Sequence, residues 1–247
     1  MIFNLIRREL RGKYQRSLLG FFWTMLNPLC QITVYTIIFT YIFRSAIEEY
    51  HLYLMSGLMP WIFFNESMVE GAGTIIVNGD LTRKIYFPRD VLVIAKVSSK
   101  FVNFALSLVI VFMFYAFSDR GIGLQYLVLL PVVMLTEYLL CLGFALFFSA
   151  ITVYMRDMRY IVGVIMMAWV WATPIMYEFS TISNEAVKKV ISLNPMTRIV
   201  EAYHQILYHH RYPQLSSLLI AFITATLILL IGETIFIKLE SGFAEEV

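Results

Sequence analysis

The sequence is short of charge. Asp, Glu, Lys and Arg make up 15% of its 247 residues, against about 25% in a typical soluble domain. Hydrophobic residues make up 60% and mean hydropathy is +0.74, so too little polar surface remains to cover a soluble fold. That shortage excludes an ordinary cytosolic enzyme, a disordered chain and a nucleic-acid-binding domain. Cysteine is scarce too. Cys30 and Cys141 stand alone within apolar runs, where they read as small packing residues and give no disulfide framework. No glycine loop of the phosphate-cradling kind occurs, so the chain cannot hold ATP phosphates by itself. Gly-x-Ser-x-Gly elbows, His-Glu-x-x-His sites, tandem repeats and low-complexity tracts are absent as well.

Long apolar runs are what the sequence does have. Residues 18–43, 101–118, 160–177 and 212–232 carry no charge, while 52–79 carries only Glu66 and Glu70 and 121–155 carries only Glu137. A helix needs about 20 apolar residues to cross the hydrocarbon core. The runs do not alternate strictly, which argues against a β-barrel. The sequence therefore predicts an all-α membrane protein, one domain over 1–247, with six transmembrane helices. They fall near 18–43, 52–79, 97–118, 124–152, 160–178 and 212–237.

Residues 1–17 read as an amphipathic interface helix. Ile2, Leu5, Ile6 and Leu10 follow helical spacing among Arg7, Arg8, Arg11, Lys13 and Arg16. The apolar run 18–43 that follows is expected to be too long for a cleavable signal peptide. Placing the N-terminus inside puts 13 of the 19 Lys and Arg residues on the cytoplasmic side, so both termini are expected to be cytoplasmic. Two connections stand out. Residues 80–92 are basic and broken at Phe87-Pro88, which predicts a short helix lying across the membrane face. Residues 180–211 are too apolar for a free loop, which predicts a pair of short helices dipping into the outer leaflet.

Acids within the spans are candidates for function. Glu66 and Glu70 are one turn apart, Glu137 lies mid-span and Glu233 near the end of span six. They are expected to bond neighbouring helices or face a water-filled path, since no basic and acidic pair deep in the bundle is evident. Among His51, His204, His209 and His210 the spacing suits headgroup contacts better than a metal. The 39 aromatics are mostly belts or core. Phe22 and Trp23 at the start of span one, with Trp169 and Trp171 in span five, could line a path that passes a glycan. Pro28 and Pro174 interrupt the same two helices.

Four segments together carry a resemblance. They are Arg8-Glu9-Leu10 through Tyr14 to Gly20, with Trp23 and Asn27-Pro28; Gly57-Leu58-Met59-Pro60-Trp61 with Lys84 to Arg89; Tyr154-Met155-Arg156-Asp157 with Thr173 to Tyr177; and Leu193-Asn194-Pro195-Met196 with Val200-Glu201-Ala202. The chain resembles the permease subunits of bacterial polysaccharide ABC exporters of the type-2 class. The resemblance implies a homodimer in the bacterial inner membrane, bound to two separate ATPase subunits that hold ATP and Mg, with no cofactor and no nucleic acid on this chain. It implies a lipid-linked, O-antigen-like substrate carried on undecaprenyl pyrophosphate, with teichoic acid or capsular glycan as alternatives. The interface helix and the 80–92 segment would meet the ATPase, the latter through Arg83, Lys84, Phe87, Pro88 and Arg89. Asn194, Pro195, Arg198 and Glu201 would belong to an outer gate. The path would run between two copies, along spans one and five, past Phe22, Trp23, Trp169, Trp171 and Tyr177. Arg8, Arg11 and Arg16 would meet the pyrophosphate at the cytoplasmic entrance, or anchor in headgroups. Glu66 and Glu70 depart from the small or neutral residues of the family, so no family role carries over to them. Two other readings stand beside this one. An intramembrane glycan-processing enzyme would use Arg198, Glu201 and His204, and a proton-coupled carrier would use the buried acids.

Overall fold

In lipid each spanning segment must satisfy its own backbone groups, which makes these apolar runs helices. The computed structural model describes residues 2–12, 22–79 and 88–246. Among them every regular element is helical. Helix α1 is Ile2–Gly12, with Leu5, Ile6 and Leu10 half-buried and Phe3, Arg7 and Arg8 exposed. Helix α2 is Phe22–Ile37, continued by a π-helical turn to Ile42. Helix α3 is Tyr50–Ala72, with one further turn at Thr74–Val77. Then follow α4, Asp90–Ala116, and α5, Leu130–Tyr154, the latter entered through a 3-10 stretch from Leu124. Then come α6, Met158–Trp169; α7, Glu185–Leu193; α8, Pro195–Tyr203; and α9, Leu215–Glu240, followed by one helical turn at Phe243–Glu246.

Among the described residues, four stretches are long and apolar enough to cross a membrane: Met25–Ile42, Asp90–Ala116, Leu124–Tyr154 and Leu215–Glu240. Helix α3, with 23 residues, is about 35 Å long at 1.5 Å per residue. It also has the reach, but carries Glu66 and Glu70. The fifth expected span differs. Helix α6 has only 12 residues and stops at Trp169, and turns occupy 170–177. Pro174 lacks an N–H and biases Thr173 away from helical geometry, so the apolar run 160–178 does not stay helical. Trp171 thus lies beyond the helix in which it was expected. The third helix starts earlier than expected, at Asp90 rather than near 97. An acid in its first turn complements the helix dipole, and Val91, Leu92 and Val93 extend the apolar run. Residues 80–87 of the coupling segment lie outside the described residues.

Helix α3 is the hub. Most of its residues are buried, and α2, α4, α5, α6 and α8 all pack on it. A helix apolar on all sides belongs at such a centre. Helices α5 and α9 form the most extensive pair. Their backbones meet at Gly143 and Gly232, where a Cβ on either residue would run into the other helix. By contrast α2 is a rim helix: only 11% of the 25–42 stretch is buried, and Leu26, Val34, Ile37 and Tyr41 are exposed. The two ends of the bundle are distinct. Helix α1 meets the far end of α3 through Asn78, and the 170–211 segment meets its start through Tyr50.

Candidate functional site

At the α1 end, helical spacing of four puts Glu66 and Glu70 on one face of α3, and Lys96 and Lys100 on one face of α4. The two faces meet. Lys100, only 3% exposed, donates to Glu66 Oε2 at 2.8 Å and to Glu70. Lys96 pairs with Glu9 of α1 and lies 3.7 Å from Glu70. Arg8 donates to Asn78 Oδ1 at 3.0 Å. The interface helix is therefore fastened to the bundle by charge. Basic and acidic residues do pair within the bundle, contrary to the sequence expectation. Their partners are 30 and 34 positions apart, so helix packing rather than local spacing brings them together. The side chain of Arg11 is not described, and Arg16 lies outside the described residues.

Next to this cluster is a polar cleft between α2, α3 and α4, with a volume of about 250 Å³. Helix α2 presents Trp23, Asn27 and Gln31 to it at spacing four, α3 presents Asn65, and α4 presents Lys100 and Asn103. A second cavity of about 500 Å³ shares Lys100 and Asn103 and reaches Arg8 and Glu9.

The expected path aromatics do not converge within one copy. Trp23 faces the cleft just described. Trp169 packs edge-on against Phe64 and Phe144, at 5.4 and 5.8 Å between ring centroids. Trp171 is 61% exposed. Tyr177 lies at the opposite end, where its hydroxyl donates to the Trp171 carbonyl at 3.0 Å. The Phe22 side chain is not described.

The outer segment folds as the expected pair of short helices, joined at Asn194. The Asn194 carboxamide oxygen accepts from Met196 N at 2.9 Å and caps α8. Its Nδ2 donates to the Ala172 carbonyl and to Thr173 Oγ1. Pro195 takes the first helical position, where its missing N–H has no consequence. Two successive residues then fasten α8 to the spans. Tyr203 donates to Glu137 Oε2 of α5 at 2.7 Å. His204 Nδ1 lies 2.8 Å from Ser56 Oγ of α3, and its Nε2 lies 3.2 Å from the Pro174 carbonyl. Burial pushes the His204 imidazole down to about 3, so the ring is neutral. Glu201 and His204 line an outer cavity of about 270 Å³ with Glu178 and His209. Burial raises the Glu201 carboxyl, with Arg198 opposing. Arg198 itself reaches Ser217 Oγ at 3.3 Å.

Of the residues expected at the ATPase contact, Arg83, Lys84 and Phe87 lie outside the described residues. Pro88 is exposed and Arg89 is half-buried. The Arg89 backbone N–H donates to Glu240 Oε1 at 3.0 Å, its guanidinium donates to the Glu240 carbonyl at 2.6 Å, and the guanidinium carbon stands 5.9 Å from the Phe243 ring centroid. Sequence reasoning missed Lys100, Asn103, Asn27, Gln31 and Glu240 as site residues. The four-residue spacing of Trp23, Asn27 and Gln31 was the one signal available for the cleft.

Comparison with known proteins gives this geometry a context. The pattern described as "ABC-2 type transporter" matches residues 2–208. The chain is 33% identical to the O-antigen export system permease protein RfbA of Myxococcus xanthus, over 100% of this chain and 95% of that protein. It is 26% identical to the O-antigen export system permease protein RfbA of Klebsiella pneumoniae, over 98% and 92%. It is 20% identical to the polysialic acid transport protein KpsM of Escherichia coli, over 80% and 77%. With its helical bundle, membrane-length helices and end-to-end match, the chain belongs to the ABC-2 type transporter family.

Proposed function

We propose that the chain is the permease subunit of an ATP-driven exporter of lipid-linked, O-antigen-like polysaccharide. Two copies assemble with two ATPase subunits in the bacterial inner membrane, both termini facing the cytoplasm. The observation that carries the reading is the full-length similarity to O-antigen export permeases. The lack of a phosphate loop supports a separate ATPase that holds ATP and Mg. The exposed apolar face of α2 supports a second copy or lipid as its neighbour. Helix α1 and the segment ending at Arg89 are the ATPase contacts in this reading, and the α7–α8 pair is the outer gate. Arg8 is engaged by Asn78 yet exposed, which leaves its other donors for a pyrophosphate or for headgroups. A glycan-processing enzyme is disfavoured because Arg198 turns to Ser217 while His204 is held between Ser56 and Pro174.

The test is reconstitution of the chain with its ATPase in vesicles loaded with lipid-linked glycan. Glycan should cross only with ATP and an intact ATPase, and should still cross with the proton gradient collapsed. Loss of transport on collapsing the gradient would instead favour a proton carrier built on Lys100, Glu66 and Glu70.

A further inference from the structure

We propose that the cleft between α2, α3 and α4 is a subsite for neutral sugar residues, formed within each copy of the chain rather than between two copies. The proposal rests on the glycan-export reading above. Its physical basis is local.

Polar side chains in a membrane-crossing bundle cost free energy unless they have partners or line a wet path. Here carboxamides of Asn27, Gln31, Asn65 and Asn103 gather from three helices around one cavity. Each carboxamide both donates and accepts, which suits hydroxyls, themselves donors and acceptors. Asn103 Oδ1 is buried and has no hydrogen-bond partner among the described residues, and Asn103 borders both the 250 Å³ and the 500 Å³ cavities. Trp23 is 42% exposed at the mouth, an aromatic face on which the C–H side of a sugar ring can lie.

The charge argues for a neutral ligand. Lys100 is already matched by the two carboxylates it contacts, which leaves no spare cation for a phosphate among the described residues of the cleft. The walls are mixed, with Met59, Ile62, Phe63 and Phe104 beside the four carboxamides, and an acyl tail would leave those carboxamides unpaired. The cleft itself holds about 250 Å³, near the lower end of small-molecule sites, about 300–1,000 Å³. Among the described residues none from α6 lines the cleft, and Trp169 and Tyr177 are placed elsewhere. The cleft therefore shares α2 and Trp23 with the path expected along spans one and five, but its polar side chains come from α2, α3 and α4 of a single copy.

The test is site-directed protection in inside-out membrane vesicles holding the permease with its ATPase. Asn27→Cys is introduced into a Cys30→Ser, Cys141→Ser background and labelled with a water-soluble maleimide. The probe is the exporting strain's own surface glycan, freed from its lipid by mild acid. Glycan should slow labelling at position 27 at least threefold, and leave Arg156→Cys, on an exposed turn, unaffected. Adding Asn103→Leu or Trp23→Leu should abolish that protection while the ATPase still co-purifies. Two variants on different helices guard against one that fails to fold. Unchanged labelling at position 27 in saturating glycan would overturn the cleft proposal, whether or not the vesicles export. Protection in vesicles that export nothing would keep the cleft and overturn the exporter reading.

Discussion

The Tyr203 hydroxyl donates to Glu137 Oε2 across 2.7 Å, and both side chains are fully buried. The other carboxyl oxygen of Glu137 has no partner among the described residues. This bond ties the outer helix α8 to α5, so the outer pair is a fixed part of the bundle rather than a loose flap. Tyr203→Phe should destabilise the protein by about 1–3 kcal/mol, because it strands a buried acceptor. Removing both groups with Tyr203→Phe and Glu137→Leu should cost less than the sum of the two single changes. Thermal denaturation of the four proteins in detergent checks this.

The pairing of α5 and α9 depends on two glycines. A Cβ on Gly143 would sit 2.6 Å from Leu229 Cα, and one on Gly232 would overlap the Gly143 carbonyl. Backbone atoms cannot yield as a flexible side chain does. Gly232→Ala should therefore cost about 1–3 kcal/mol through overpacking, read as a lower thermal midpoint and weaker accumulation in membranes. Gly163→Ala on α6, where no described atom lies within 4 Å in a single copy, should be tolerated and even add helix propensity.

Much of this bundle was legible because apolar runs in lipid have one backbone solution. The runs 18–43, 124–152 and 212–237 overlap α2, α5 and α9. Residues 160–177 misled because hydropathy counts apolar side chains and ignores the turns after Trp169, which Pro174 keeps from resuming as helix. Sequence alone counts Lys100 among the 13 cytoplasmic-side cations, whereas the structure buries it against Glu66 and Glu70. Helix periodicity gives the face of each pair, but the rotation of α3 against α4 that joins the faces is set by packing of the whole bundle. For the same reason the spacing of Trp23, Asn27 and Gln31 gave a stripe with no indication of what it faced.

Arg89 and Glu240 offer a prediction about coupling. Two hydrogen bonds and the nearby Phe243 ring fix the end of the 80–92 segment to the end of α9. Tyr154 braces the same place by donating to the Leu239 carbonyl at 2.9 Å. If the segment carries force from the ATPase, loosening this anchor should waste hydrolysis. Glu240→Ala should lower the glycan moved per ATP hydrolysed by about threefold or more, with ATPase co-purification unchanged. Phe243→Ala should act in the same direction. An unchanged ratio would show that the anchor only holds the fold.

His204 gives a pH dependence whose sign follows from its surroundings. The imidazole stacks on Tyr53 with 4.0 Å between centroids, and a Cβ on Gly57 would reach within 2.8 Å of Cε1. The ring is neutral when the Ser56 hydroxyl gives its single proton to Nδ1 rather than to the Tyr53 carbonyl 2.7 Å away, with Nε2–H donating to the Pro174 carbonyl. Burial lowers the folded value to about 3 from 6.5, and neighbouring His209 is lowered by burial as well. Between those limits the unfolded chain binds a proton that the folded one does not. Stability from His204 is therefore intact above about 6.5 and lost as pH falls towards 3, by about 1.4 kcal/mol per pH unit for one proton. His204→Gln removes the titration and keeps an amide in place, leaving only the His209 share of the same sign. The thermal midpoint of the native protein should fall more steeply between pH 7 and pH 5 than that of His204→Gln. Parallel curves would mean that the ring binds its proton equally well in the folded and unfolded chain, and a shallower fall than that of His204→Gln would mean that it is protonated in the fold, donating from both nitrogens.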